Sequence, residues 1–186
     1  MDLAKLLDGS INLTYQVPLL KLDNKQKFRD NNQLTNQKIV LFHPGYGGSS
    51  DGNLTLEGYL KLAKVIRNLP NIQVVWVFGP DDLDAKDKIK GLIPDTDIIY
   101  HPSTLLDYCF LIRDSELLIS TSTGPMHLAG ALNIKTVSFF GNNLFASSKR
   151  WATVSETNKQ LNIEIDKDYQ QDLLKKIIDS AIQKLN

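Results

Sequence analysis

Two short stretches, "STSTGPMH" at 120–127 and "HPGYGGSS" at 43–50, gather the residue types that hold an anion. In the first, a helix beginning near Gly124 would leave several backbone N–H groups unpaired, with the positive end of the helix dipole behind them. Thr121, Ser122 and Thr123 offer hydroxyl hydrogen bonds beside that opening, and Gly124 lets a ligand approach the main chain. Pro125 removes only a donor that the first turn leaves free. His127 lies one turn further in, where an imidazole can bond a phosphate oxygen or a sugar hydroxyl. The same residues also suit a Ser/Thr cap on a buried helix with His127 packed inside, and residue type alone leaves both readings open.

In the second stretch, Gly45, Gly47 and Gly48 allow backbone shapes barred to other residues and a close approach to the chain, while Ser49 and Ser50 add donors. A phosphate or sugar cradle and a plain flexible turn both fit. No Gly-Lys-Ser/Thr follows, so the loop is not a Walker A motif, and the spacing of a dinucleotide fingerprint is absent. "FGPDD" at 78–82 supplies two more carboxylates: one is expected to cap the next helix, and Asp81 to accept from ligand hydroxyls. "HPST" at 101–104 offers His101 and Ser103, with Leu105 placed to pack on a flat base. The histidines stand too far apart to make a metal set, and no D-x-D motif adjoins 120–127, so neither a metal nor another cofactor is expected.

These stretches need elements to hold them. "KIVLFH", "IQVVWVFG", "DIIYH", "ELLIST" and "KTVSFFG" read as five strands, mostly continuous apolar runs. Between them lie "TLEGYLKLAKVIRNL", amphipathic through Leu56, Tyr59, Leu60, Ala63 and Ile66, then "LDAKDKIKGLI", "TLLDYCFLIRDS" capped by Thr104 or Ser103, and "GPMHLAGAL". "YQQDLLKKIIDSAIQKL" is a closing helix. The alternation predicts an α/β, Rossmann-like, doubly wound parallel sheet covered on both faces, with ligands bound outside the carboxyl ends of the strands. All four chemical stretches fall at such ends.

The regular pattern predicts a nucleotide-binding domain over 38–186. Residues 1–37 read otherwise: a short helix at Leu3 to Leu7, a brief edge strand at "VPLLKL", then the polar run "DNKQKFRDNNQLTNQ", which is expected to be exposed linker left over from an upstream domain.

The 186 residues are 42% hydrophobic and 23% charged, with Lys plus Arg equal to Asp plus Glu at 21 each. That balance gives no general attraction for nucleic acid, so any anion must be held by local geometry. The lone Cys109 excludes an internal disulfide, suits a reducing compartment, and sits in the apolar "LLDYCFLI" as a buried structural thiol. No run reaches the roughly 18 apolar residues that span a bilayer, and "MDLAKLLDGSINL" does not read as a signal peptide. The expected location is cytoplasmic, at most peripheral to the inner membrane.

"LFHPGYGGS", "TLEGYLKLAKVI" and "LLISTSTGPMHLAGALNIKTVSFFG", in that order between Lys38 and Asn142, resemble the C-terminal half of glycosyltransferase family 9, the heptosyltransferase-like enzymes of lipopolysaccharide core synthesis. The resemblance implies one half of a GT-B enzyme that takes a sugar from an ADP-heptose-like nucleotide-sugar donor. The receiver is a lipid-linked saccharide acceptor of the lipopolysaccharide or lipooligosaccharide core. It implies further that an N-terminal half binds the acceptor and carries the catalytic base. On this chain Thr123, Gly124 and His127 would then line the diphosphate site, with Ser122 beside them where the family has Asp. Gly45, Gly47 and Gly48 would approach the sugar phosphate, Asp81 the donor hydroxyls, and Ser103 and Leu105 the base. Asp51 and Gly52 stand where the family carries Lys. A non-catalytic assembly module that needs a separate N-terminal half is the alternative. An unrelated Rossmann protein such as an epimerase is a third, against which the missing Gly-x-Gly-x-x-Gly turn speaks.

Overall fold

The structure is a computed structural model that describes residues 17–23, 27–45, 52–79, 82–166 and 171–185. Its centre is one six-stranded, all-parallel sheet in the order β3-β2-β1-β4-β5-β6. The strands are β1 (Lys38–His43), β2 (Ile72–Val77), β3 (Ile98–Tyr100), β4 (Leu117–Thr121), β5 (Lys135–Gly141) and β6 (Gln160–Ile165). Among the described residues the α-helices are α1 (Lys27–Asn31), α2 (Leu56–Arg67), α3 (Leu83–Lys90), α4 (Leu105–Arg113), α5 (Gly124–Ala131), α6 (Ser148–Trp151) and α7 (Gln171–Leu185).

Both faces of the sheet are covered, which is why its central strands are apolar without alternation. On one face Val40, Phe42, Val74, Trp76, Leu117, Ile119, Val137 and Phe139 pack with α2 and α7. On the other, Ile39, Leu41, Val75, Val77 and Leu118 pack with Tyr108, Leu111 and Ile112 of α4 and with Ala129 of α5. Helix α2 begins where the Thr55 side chain accepts from the Gly58 amide at 3.1 Å, and it buries Tyr59, Leu62, Ala63 and Ile66. Thr104, rather than Ser103, caps α4 by accepting from the Asp107 amide at 3.0 Å.

A sixth strand joins the five expected from sequence. "QLNIEI" alternates, sending Leu161, Ile163 and Ile165 toward the first core and Asn162 to the other face, as an edge strand does. Residues 17–37 also differ from an exposed linker. Residues 17–23 form no strand, although the Leu20 amide donates to the Ala131 carbonyl at 3.0 Å. Phe28 and Leu34 are buried in the second core, which stabilises the docked segment by roughly 1.5–3 kcal/mol per side chain. The Arg29 guanidinium donates to the carbonyls of Leu34, Gln37 and Asp114 and so pins α1 to the end of α4. Charge and Asn content hid two apolar anchors spaced six residues apart. The helix expected at Leu3 to Leu7 lies outside the described residues.

Candidate functional site

The strand order reverses between β1 and β4, which pair in register His43 to Ser120. At such a switch point the crossovers on either side run to opposite faces and leave a crevice above the sheet edge. The backbone leaving β1 at Pro44 and Gly45 and the backbone leaving β4 at Ser122 and Thr123 are therefore neighbours. Sequence alone had placed both stretches at strand ends; the topology puts them side by side.

Thr123 is the N-cap of α5 with extended backbone, and its side chain makes no capping bond. The Met126 and His127 amides both turn back to the Thr123 carbonyl, whereas no acceptor among the described residues takes the Thr123 or Gly124 amide. A Cβ built on Gly124 would meet nothing within 4 Å, and Gly124 does not have a positive φ. The fold thus has no need of a glycine there, yet the position opens onto an uncapped helix start. The hydroxyls are less free than expected. Thr121 is buried and donates to the Gly52 carbonyl at 2.9 Å, while Thr123 donates to the Thr121 carbonyl at 3.3 Å. Ser122, half-buried, is the member of the trio without such a bond among the described residues.

Gly45 is a different kind of glycine. A Cβ there would stand 2.6 Å from His43 Nε2 and 2.8 Å from Asp82 Oδ2, so the chain leaves β1 pressed against those two side chains. His43 is buried, with Nδ1 3.1 Å from the Val77 carbonyl and Nε2 3.9 Å from Asp82 Oδ2. Burial pushes its imidazole pKa below the usual histidine value, against smaller upward pulls from Asp82 and the Val77 carbonyl. Asp82 does not cap α3; its carboxylate accepts from the Gly79 amide at 3.1 Å instead. Tyr108 comes in from α4, its hydroxyl buried without a partner among the described residues, and burial followed by the Asp82 charge drives its pKa far upward. None of His43, Asp82 or Tyr108 was read as part of a site. The available signal was a histidine ending a strand that is otherwise apolar.

Gly52 closes the same loop on its far side. A Cβ there would fall 2.0 Å from the Phe140 carbonyl carbon and oxygen, so the returning chain lies directly on the end of β5. Gly47, Gly48 and Asp81 lie outside the described residues. Ser103 and Leu105 are exposed at the exit of β3, Leu105 at 67%. The sheet order sets β3 three strands from β4, about 14 Å at the usual strand spacing. That span lets one elongated ligand touch both ends but keeps them from acting on one small anion. His101, beside them, holds the Phe78 carbonyl through Nδ1 at 2.9 Å. His127 is exposed and lies edge-on to Trp151, ring centroids 6.4 Å apart, and partial desolvation lowers its pKa. Arg150 stacks over that same Trp151 ring and over Phe145.

The family model of glycosyltransferase family 9 (heptosyltransferase) matches residues 2–177. Lipooligosaccharide heptosyltransferase 2 of Campylobacter jejuni is 25% identical over 166 residues, 86% of this chain and 50% of its own. The solved ADP-heptose lps heptosyltransferase II of E. coli superposes with TM-score 0.71 at 22% identity, over 89% of this chain and 53% of that one. A UDP-GlcNAc 2-epimerase from Methanocaldococcus jannaschii, in complex with UDP-GlcNAc and UDP, has TM-score 0.54 at 15% identity over 88% and 42% of the two chains. The chain spans half or less of the length of the curated relatives it matches. Fold alone is thus shared by transferases and an epimerase; the family match is what separates them.

Proposed function

Since the chain belongs to glycosyltransferase family 9, we propose that it is the donor-binding half of a heptosyltransferase-like enzyme. It takes an ADP-heptose-like nucleotide sugar, and the receiver is a lipopolysaccharide or lipooligosaccharide core acceptor. The observation that carries this reading is the start of α5 at the switch point: two amides without protein acceptors among the described residues, behind a glycine that packing does not require. An uncapped helix start with its dipole is matched to a diphosphate.

In the proposed reaction an acceptor hydroxyl attacks the anomeric carbon with inversion. The new C–O bond forms as the bond from that carbon to the diphosphate oxygen breaks. The electron pair leaves with the nucleoside diphosphate, and the hydroxyl proton goes to a base. The Thr123 and Gly124 amides stabilise the charge that grows on the leaving diphosphate, where preorganised donors act most strongly. Ser122 adds a hydroxyl, and Ser103 and Leu105 border the nucleobase. The base comes from an acceptor-binding N-terminal half, on the same protein or supplied separately. The reaction is read as metal-free and as taking place in the cytoplasm beside the inner membrane.

Calorimetric titration of the chain with ADP, UDP and their sugars tests the reading: saturable binding of a nucleoside diphosphate is expected, and its absence overturns it. A second reading is a non-catalytic module that needs a separate N-terminal half. Ser122, where the family pattern has Asp, favours it, since a hydroxyl replaces a carboxylate acceptor. Glycosyl transfer by the lone chain would defeat it.

A further inference from the structure

We propose that the loop leaving β5 docks the chain on an anionic phospholipid surface, with Leu144 and Phe145 at its tip and Lys149, Arg150 and Trp151 of α6 beside them. The contact stands independently of the function proposed above. Its use, to hold the donor crevice against a surface that carries a lipid-linked acceptor, rests on that reading.

The exposure of these side chains is built into the loop. The Asn143 side-chain oxygen accepts from the Phe145 and Ala146 amides, each at 3.0 Å, and the Ala146 carbonyl accepts from the Gly141 amide at 3.1 Å. That turn sends Ala146 inward, 5% exposed, and leaves Leu144 and Phe145 outward at 72% each. The Ser147 hydroxyl donates to the Leu144 carbonyl at 3.2 Å and Trp151 Nε1 to the Phe145 carbonyl at 2.7 Å, so α6 is tied to the tip. The Trp151 N–H is thereby satisfied while its ring stays 40% exposed. Apolar side chains that the backbone holds outward mark a contact surface. Trp151 also lies edge-on to His127, one turn into α5, which sets this surface beside the candidate donor site.

Charge chooses the occupant. The Arg150 guanidinium carbon lies 5.7 Å from the Phe145 ring centroid and 5.0 Å from that of Trp151, which fastens a cation inside the apolar patch. Neither Arg150 nor the exposed Lys149 forms an ion pair among the described residues. The carboxylates nearby are engaged with other groups. Glu164 of β6 accepts from the Ser148 hydroxyl at 3.2 Å, Asp166 from the Asn142 side chain, and Glu156 pairs with Lys159 at 3.8 Å. Leucine, phenylalanine and tryptophan with adjoining unpaired cations suit the boundary between acyl chains and anionic headgroups. A second copy of the chain would set Lys149 and Arg150 against like charges. A stable protein partner covers about 800 Å² on each side. Three part-exposed side chains offer less, since an aromatic buries about 150–250 Å² even when whole. A bilayer needs only a tip to enter it.

Co-sedimentation of the 186-residue chain with vesicles tests this, using phosphatidylcholine alone and equal parts phosphatidylcholine and phosphatidylglycerol. Trp76 is fully buried, so a change in tryptophan emission on adding vesicles reports Trp151. Binding to the mixed vesicles is expected, with a blue-shifted emission and a weakening as salt rises. Leu144→Ser/Phe145→Ser should lose about tenfold or more in partitioning. Lys149→Gln and Arg150→Gln should each lose about fivefold. Leu92→Ser, at an exposed leucine beyond α3, should bind as wild type does, and all variants should melt alike. No binding to mixed vesicles, equal binding to neutral ones, unchanged emission on binding, or losses no greater than in Leu92→Ser would each overturn the proposal. So would self-association that Leu144→Ser/Phe145→Ser abolishes in a chain that ignores vesicles, which assigns the patch to a second copy. Titration of the same chain with ADP and UDP decides the donor reading separately, so either can fail while the other stands.

Discussion

Gly124→Val separates a glycine kept for a ligand from one kept for the fold. A Cβ on Gly124 contacts nothing within 4 Å and its φ is not positive, so neither clash nor backbone strain opposes the new side chain. What remains is helix propensity, in which valine is slightly better than glycine, so stability should change by no more than about 0.5 kcal/mol. That is about 1–2 °C in Tm for a chain of this size. Binding should respond differently. An isopropyl group over the uncapped start of α5 covers the Gly124 amide and displaces a diphosphate oxygen from it. The loss of one hydrogen bond to a charged group is about 1.5–3 kcal/mol, or roughly 10–150-fold in Kd. Gly91→Ala serves as a control, because that Cβ also meets nothing within 4 Å, at the far end of α3. Thermal melts and calorimetric titration with ADP on the three proteins decide the matter. A valine variant that melts normally and binds within about threefold of wild type would remove the start of α5 from the donor site.

Gly52→Ala should do the reverse and act on the fold, since its Cβ would fall 2.0 Å from the Phe140 carbonyl; a loss of about 3 kcal/mol or more is expected in denaturant melts. Asp97 accepts from Trp76 Nε1 at 2.8 Å and from the Arg67 guanidinium at 2.6 and 2.5 Å. Asp97→Ala orphans both, and about 3 kcal/mol should be lost with nucleotide binding affected only through stability. Burial lowers the pKa of His43 in the folded chain, and the groups facing it are Asp82 from the start of α3 and Tyr108 from α4. The unfolded chain then binds the proton first, so this contribution to stability is complete above about pH 6.5. It is lost as pH falls from there through the lower folded value, at up to about 1.4 kcal/mol per unit. His43→Gln should flatten that limb of the Tm–pH curve, and an unchanged slope would place the acid sensitivity elsewhere.

The alternation of strands and helices was legible because a parallel sheet covered on both faces demands apolar runs, and "KIVLFH", "IQVVWV" and "LLIST" are buried almost throughout. The edge was not. β6 is an edge strand with only Leu161, Ile163 and Ile165 on the core, so its "QLNIEI" carries half the signal of an inner strand. Phe28 and Leu34 were hidden for a related reason: two apolar residues in a charged run look like noise until the groove that receives them is known. At the site, the position of each loop at a strand end followed from the pattern, and the neighbour relation between β1 and β4 followed from the topology alone. The proton partners of the hydroxyls did not. Thr121 and Thr123 look like ligand donors in one dimension, yet Gly52 and Thr121 carbonyls occupy them in three.

Glycine content is equally ambiguous in one dimension, and the structure sorts the described glycines by the group that fills the place of the missing side chain. At Gly45 it is His43 and Asp82, at Gly52 the Phe140 backbone, at Gly130 the Thr153 side chain, and at Gly141 Ala146. Those four are explained by close packing within the chain. Gly91 and Gly124 are explained by none, and of these Gly91 ends a helix, where the loss of a side chain costs little. Gly124 begins one, beside the strand-order reversal, where every additional atom would narrow the approach to amides that have no acceptor among the described residues. A residue that folding does not require, set where the helix field is strongest, is what differential binding of a diphosphate would retain. The packing glycines supply a different part, since Gly45 is pressed on His43 and Asp82 and Gly52 on the end of β5.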